Sequence, residues 1–399
     1  MPKVIRYLGS SGFRKTFARQ CQEFMMDRSF RLSNRLSSAF AAVFALALLG
    51  ATLSGCSSGG GAGATTPPPT TPTPPPSVFD SYNLQGDVSL VHDPSIIREG
   101  STYYVFSTDP GNQPNNPQNG YLAIRCSTDK INWSRCGQVF TSVPQEILSV
   151  FPNFQVFWAP DVSFFNGLYH VYYAASGFGA NHSMIGLVTN ATLDSTSPNY
   201  KWVDQGIVLT SQTTDNFNAI DPNILIDTDA NGNTTHIWMQ YGSFWGGIFQ
   251  REIDPSTGML STTNTNVVNL ATRPGVPNDP VEGSSMVKKN GYYYLFVSFD
   301  YCCESIPSQS NYKIAVGRSS SANGPFADES GVAMTQGGGT ILLAGNGTTW
   351  GAPGGQTAYI DPVDGDLITF HALNLNQNGL DYLFVNSLTW TNNWPVIQP

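Results

Sequence analysis

From Val91 onward, the apolar and polar positions of the chain repeat a short strand, a turn containing Gly, and a strand of aromatic and β-branched residues. The first instance is Val91-His92-Asp93-Pro94-Ser95-Ile96-Ile97, a turn at Glu99-Gly100, then Tyr103-Tyr104-Val105-Phe106. The order returns in residues 158–164, Asn166-Gly167 and 169–173, and again in residues 219–225, Asn231-Gly232-Asn233 and 236–241. Residues 281–287 with Asn290-Gly291 and 292–296, and residues 352–359 with Asp364-Gly365 and 367–371, complete five units. Strand, Gly turn and strand make a hairpin. A recurrence about every 60 to 70 residues leaves room for four strands per unit. No long stretch has the i, i+3, i+4 apolar spacing of a helix. The pattern predicts an all-β, five-bladed β-propeller over residues 78–399.

The chain ahead of the repeats has a different character. Arg28, Arg31 and Arg35 precede an apolar run over residues 39–53, too short for a stable membrane span but ordered like a secretory signal. The run ends in Leu53-Ser54-Gly55-Cys56, which resembles a bacterial lipobox, where the Cys becomes the acylated first residue. Residues 1–55 therefore read as a signal peptide, with the true start expected at Met25 or Met26. Residues 56–77 read as lipidated Cys56 followed by a Gly-rich and then Thr/Pro-rich tether. The expectation is an exported monomer, at the cell surface, on the outer membrane or extracellular, meeting a membrane only through a lipid anchor.

Charge narrows the partner. The 399-residue chain has 19 Lys and Arg, 28 Asp and Glu, and a net charge of −9; residues 1–55 hold eight of the basic and two of the acidic side chains, leaving −15. Such a surface repels nucleic acid. Of six cysteines, Cys21 precedes the expected processing site and Cys56 is the one expected to carry lipid. Cys126 and Cys136 bracket a short hairpin and are expected to form a disulfide. Cys302 and Cys303 are adjacent, either a vicinal disulfide or two free thiols.

Placed on a propeller, the start of each innermost strand lies toward the central channel. In four of five units that start is acidic: Asp93, Asp161, Asp221 and Glu282. One Asp-Pro is a common turn opener. Four carboxylates gathered at one channel mouth raise each other's pKa values, a cost tolerated mainly at functional sites. The repeating region has no Gly-x-Ser-x-Gly and no His-Glu-x-x-His, and Gly337-Gly338-Gly339 lacks the lysine of a phosphate loop. Among the five His, His92 beside Asp93 and His182 in a loop are the functional candidates, whereas His170 and His236 read as strand residues.

These segments resemble glycoside hydrolase family 43, the inverting arabinanases, arabinofuranosidases and β-xylosidases. His92-Asp93-Pro94-Ser95 is similar to the family's general-base motif, Ala219-Ile220-Asp221-Pro222-Asn223 to that of its pKa-modulating Asp, and Val281-Glu282-Gly283 to that of its general acid. The resemblance implies an acid, Glu282, that protonates the leaving oxygen, and a base, Asp93, that activates water on the opposite face of the sugar. Asp221 would keep Glu282 protonated. Asp161 is expected either to serve the sugar site or to hold a neighbouring blade.

Phe157-Trp158-Ala159-Pro160-Asp161-Val162, Gly242-Ser243-Phe244-Trp245 and Cys302-Cys303 resemble the endo-arabinanases in particular. They imply endo-hydrolysis of α-1,5-linked arabinan or another plant cell-wall polysaccharide, with Trp158, Ser243, Phe244, Trp245 and His182 along the sugar cleft. An exo-acting arabinofuranosidase or β-xylosidase, and a non-catalytic glycan-binding lipoprotein, are the alternatives. Many arabinanases carry Gly-Pro-Gly-His in the fifth unit, the His linked to a calcium ion. Here Ala352-Pro353-Gly354-Gly355-Gln356 stands instead, leaving Gln356 and His371 as candidate calcium ligands.

Overall fold

The computed structural model describes residues 77–108, 121–154 and 156–399. The expected signal peptide, Cys56 and all of the expected tether but Ser77 lie outside the described residues. Five antiparallel sheets follow one another along the chain. The first contains His92–Glu99, Thr102–Thr108, Ala123–Ser127 and Asn132–Gln138; the second Trp158–Phe165, Leu168–Ala175, Ser183–Asn190 and Val203–Ser211. The third contains Asn223–Thr228, Thr234–Tyr241, Ile248–Ile253 and Val268–Ala271; the fourth Val281–Lys289, Tyr292–Phe299, Lys313–Ser319 and Thr340–Ala344. The fifth contains Trp350–Tyr359, Leu367–Asn374, Leu380–Thr391 and Trp394–Ile397. The inner strand of each sheet packs on that of the next, and the fifth returns to the first. This is the five-bladed propeller that the repeat predicts.

Local chemistry explains the hairpins. Asn166 and Gly167 have φ of 50° and 76°, Asn290 and Gly291 φ of 51° and 80°. Two successive left-handed residues make the turn whose twist matches paired strands, and Asn-Gly adopts it most readily. Both faces of a blade are covered by neighbours, so the second strands read as apolar runs rather than alternating ones. Tyr173 packs with Phe140 and Phe157 toward the first blade, and adjacent Tyr172 packs with Ile237 and Met239 toward the third. Full burial of one such side chain contributes about 2–3 kcal/mol.

Each inner strand begins with a bulge that the repeat reveals only in part. Asp93, Ala159, Asp221, Gly283 and Gly355 occupy the same left-handed position, with φ between 40° and 58°. Two residues further on stand Ser95, Asp161, Asn223, Ser285 and Thr357. Four of these accept a backbone N–H from the next blade: Ser95 Oγ from Val162 at 3.1 Å, Asp161 Oδ2 from Ile224 at 3.1 Å, Asn223 Oδ1 from Met286 at 2.8 Å and Ser285 Oγ from Ala358 at 3.1 Å. Asp161 therefore belongs to a belt between blades and is not the counterpart of Asp93. The equivalence expected of four acidic residues is corrected: Ala159 takes that place in the second blade, and Glu282 comes one residue before its own left-handed position.

The ring is closed by the start of the domain. Gln85–Gly86 adds to Asn132–Gln138 as a parallel fifth strand of the first sheet. The N–H of Leu90 donates to the Asp381 carbonyl at 2.8 Å, and that of Leu383 to Val88 at 2.8 Å, which ties the approach to the first blade onto the fifth. Disulfides join Cys126 to Cys136 across the first blade and Cys302 to Cys303, which resolves the alternative left open for the adjacent pair. No helix among the described residues is long and apolar enough to cross a membrane.

Candidate active site

The left-handed bulges turn Asp93, Asp221 and the neighbouring Glu282 toward one centre. Asp93 Oδ2 accepts from Thr108 Oγ1 at 2.9 Å, and the same hydroxyl accepts the Ala159 N–H at 2.7 Å, fixing its direction. Asp221 Oδ2 accepts from the Gly283 N–H at 3.0 Å. Glu282, 9% exposed, accepts from Ser243 Oγ at 2.5 Å and from the Tyr312 hydroxyl.

The electrostatics bind the three into one unit. Burial raises the pKa of Asp93, against the opposing pull of His92 and Thr108. Burial, then the charges of Glu282 and Asp93, raise Asp221 well above the usual carboxylate range. Burial also raises Glu282, in spite of its bonds from Ser243 and Tyr312. Burial and the facing carboxylates hold Tyr312 firmly as a phenol. For His92 burial works the other way, yet Asp93, Asp381 and Glu282 together push its pKa up to about 10. His371 is held neutral, its pKa lowered by burial and by the charge on His92.

The other expected site residues divide. Ser243 is 3% exposed and its hydroxyl is on Glu282, so it holds that carboxylate rather than lying open to a sugar. Asp161, expected either at the sugar site or on a neighbouring blade, has Oδ1 on Asn223 Nδ2 at 2.8 Å and Oδ2 on the Ile224 N–H, which is the second of these and takes it out of the site. Trp245 is 40% exposed, and Phe244 packs its ring 5.6 Å from that of Tyr301. Trp158 and His182 are half-buried, His182 beside Phe151 with ring centroids 5.3 Å apart. Thr108, Tyr312 and Asp381 were not singled out from the sequence. Each sits at a strand end, next to a start or stop that reads as ordinary β-structure.

The calcium expectation meets a difficulty in the donor set. Gln356 Oε1 accepts from Ser298 Oγ at 2.9 Å and its Nε2 donates to the Gly283 carbonyl at 2.6 Å. His371 Nδ1 accepts the Asp93 N–H at 3.2 Å, so the neutral ring carries its proton on Nε2, which is buried without a partner among the described residues. A hard cation wants several oxygens, and this pair offers none that is free. Gln356 and His371 as a pair do not fit calcium as they stand, whereas His92, Asp93 and His371 bring ligand atoms within 4.8 Å of one another; no chemical step is routed through a metal ion.

The described domain coincides with a family match: Glycosyl hydrolases family 43 covers residues 88–395. The extracellular endo-alpha-(1->5)-L-arabinanase 1 of Bacillus subtilis is 39% identical over 77% of this chain and 87% of its own length. The extracellular exo-alpha-(1->5)-L-arabinofuranosidase of Cellvibrio japonicus is 36% identical over 77% and 86%. The endo-arabinanase structure from Bacillus licheniformis superposes with a TM-score of 0.68 at 39% identity, covering 79% of this chain and 99% of that one. A Cellvibrio cellulosa α-L-arabinanase solved with arabinohexaose gives 0.69 at 34% identity, covering 78% and 96%. With its fold, its carboxylates and these relatives in agreement, the chain belongs to glycosyl hydrolase family 43.

Proposed function

We propose that the protein is an inverting glycosidase that cuts α-1,5-L-arabinofuranosidic bonds within arabinan, with Asp93 as general base, Glu282 as general acid and Asp221 tuning that acid. The observation that carries this reading is the convergence of three mutually interacting carboxylates from the first, third and fourth blades on one centre. Family membership and the activities named for the relatives support the substrate.

In the reaction, Asp93 takes a proton from water as it attacks the anomeric carbon, and Glu282 gives a proton to the departing oxygen. Thr108 fixes one oxygen of the base, and Ser243 and Tyr312 fix both oxygens of the acid. The half-exposed Trp245, with Phe244 and Trp158, offers ring faces to the furanose chain. Export with an anchor on Cys56 completes the reading: a Cys56→Ser form should lose palmitate labelling and leave the membrane fraction.

Product analysis on debranched arabinan tests the function. A ladder of oligosaccharides that shortens with time is the expected result. Arabinose alone from the first minutes would favour the exo reading, which the 36% identical exo-acting relative keeps in view. Proton NMR of fresh product should show inverted anomeric configuration.

A further inference from the structure

A second charged cluster lies beside the start of the strand that carries Glu282. Asp300 follows Tyr292–Phe299, the second strand of the fourth blade, and takes a left-handed φ of 72°. Its Oδ1 accepts from Arg273 Nη1 at 2.5 Å, and its Oδ2 accepts from Lys313 Nζ at 2.6 Å. Burial works against its charge, yet the bonds from Lys313 and Arg273 hold its pKa below the usual carboxylate range. The two cations come from different segments. Arg273 lies in the connection out of the third blade, and Lys313 opens Lys313–Ser319, the third strand of the fourth.

Each cation leads to Glu282. Arg273 Nη1 also donates to the Pro280 carbonyl at 3.1 Å, which the Asp300 N–H reaches at 3.0 Å. Pro280 stands two residues before Glu282, and the Phe244 N–H takes the carbonyl of Val281 between them at 3.0 Å. Arg273 is itself fixed, with its guanidinium 4.4 Å over the Phe299 ring and its N–H on the Asp279 carboxylate. Lys313 follows Tyr312, whose hydroxyl donates to Glu282. Asp300 joins the two lines: one oxygen steadies the peptides ahead of Glu282, and the other steadies the residue after its phenol donor.

We propose that Asp300 is a positioning residue that clamps Arg273 and Lys313 together and so fixes where the Glu282 carboxyl stands against the leaving oxygen. Both of its oxygens are taken by cations, so it acts through the supports of Glu282 and not by touching the sugar. A proton donor that is slightly misplaced loses most of its effect on a poor leaving group. The inference rests on Glu282 being the acid.

Two substrates with unlike leaving groups test it on the whole protein: α-1,5-linked arabinotetraose, and the dinitrophenyl glycoside of α-1,5-linked arabinotriose. A sugar alkoxide needs a proton in order to leave, whereas a dinitrophenolate does not. In Asp300→Asn the amide turns an N–H toward one of the two cations and breaks that arm. On the arabinotetraose kcat should fall about tenfold while KM stays within about twofold, and the ratio of this kcat to that on the aryl substrate should fall nearly as far. Lost folded protein lowers both rates together and leaves the ratio alone. Lys313→Met, at a more exposed position, breaks only the arm to Tyr312 and should lower the ratio about threefold. An unmoved ratio in either variant would overturn the proposal. Glu282→Gln should depress the ratio about a hundredfold. A Glu282→Gln ratio equal to the wild type would sink the acid assignment and this proposal with it, whereas a depressed one beside an unmoved Asp300→Asn ratio sinks the role of Asp300 alone.

Discussion

The backbone N–H of Gly283 donates to Asp221 Oδ2 at 3.0 Å, and Gly283 is the residue after Glu282. Asp221 therefore grips the peptide that carries Glu282, as its proposed tuning of that acid requires. A backbone N–H can only donate, which favours charge on Asp221, whereas the hydroxyls of Ser243 and Tyr312 can turn to accept from a protonated Glu282. These contacts favour the single proton of the pair on Glu282, against the burial and the charges of Glu282 and Asp93 that raise Asp221 well above the usual carboxylate range. Asp221→Asn removes a negative charge that raises the acid's pKa, so the basic limb of the pH–rate profile should move down by about one unit. At pH 7 kcat should fall about 10²-fold or more. An unmoved basic limb would refute the tuning role.

Tyr312→Phe should shift the same limb the other way. The Tyr312 hydroxyl bond lowers the pKa of Glu282, so its loss raises that pKa and keeps the acid protonated to higher pH. The variant also leaves a buried carboxylate oxygen short of a partner, at a cost of about 1–3 kcal/mol in denaturant unfolding. Shifts of the same sign in the two variants would contradict the assigned contacts.

His92→Gln acts on the opposite limb. Without the cation, burial of Asp93 goes unopposed by positive charge, its pKa rises, and the acid limb of kcat/KM should move to higher pH. A profile that keeps its acid limb would mean that the base is charged by something other than His92.

Gly355→Ala tests the room around the base. Gly355 has φ of 56°, and a Cβ there would overlap Asp93 Oδ1 and sit 2.8 Å from His371 Nδ1. Activity should be nearly lost, while unfolding free energy drops by about 1–3 kcal/mol. Wild-type turnover would show that Asp93 lies elsewhere.

Asp161→Ala separates stability from binding. It removes two bonds between the second and third blades, so the melting temperature should fall while KM for arabinan stays near the wild-type value. A raised KM at unchanged melting temperature would return Asp161 to the sugar cleft.

The five units, their hairpin turns and the carboxylates Asp93, Asp221 and Glu282 were legible because each rests on local grammar: Asn-Gly turns, aromatic strands and an acidic residue beside a Pro or Gly. The grouping of Asp161 with the channel carboxylates has a physical cause. Asp221-Pro222 and Pro160-Asp161 place Asp on opposite sides of Pro, and a two-residue offset across a bulge carries the side chain from the channel to the blade junction. Thr108, Tyr312 and Asp381 were illegible because their importance comes from contact with distant residues. Tyr312 meets Glu282 and Asp381 meets His92 only when the ring is closed, and nothing in the strand ends themselves marks them.

The left-handed bulge recurs in all five blades whatever residue occupies it. Two of the five sockets hold Asp and one holds Ala159; in the other two the residue is Gly, next to the acid in the fourth blade and making room for the base in the fifth. The backbone thus provides a mounting whose shape does not depend on its cargo. Chemistry on such a ring can change by exchanging single side chains at fixed stations, with the blades themselves left alone, so that a scaffold of this kind accommodates new reactions faster than it accommodates new shapes.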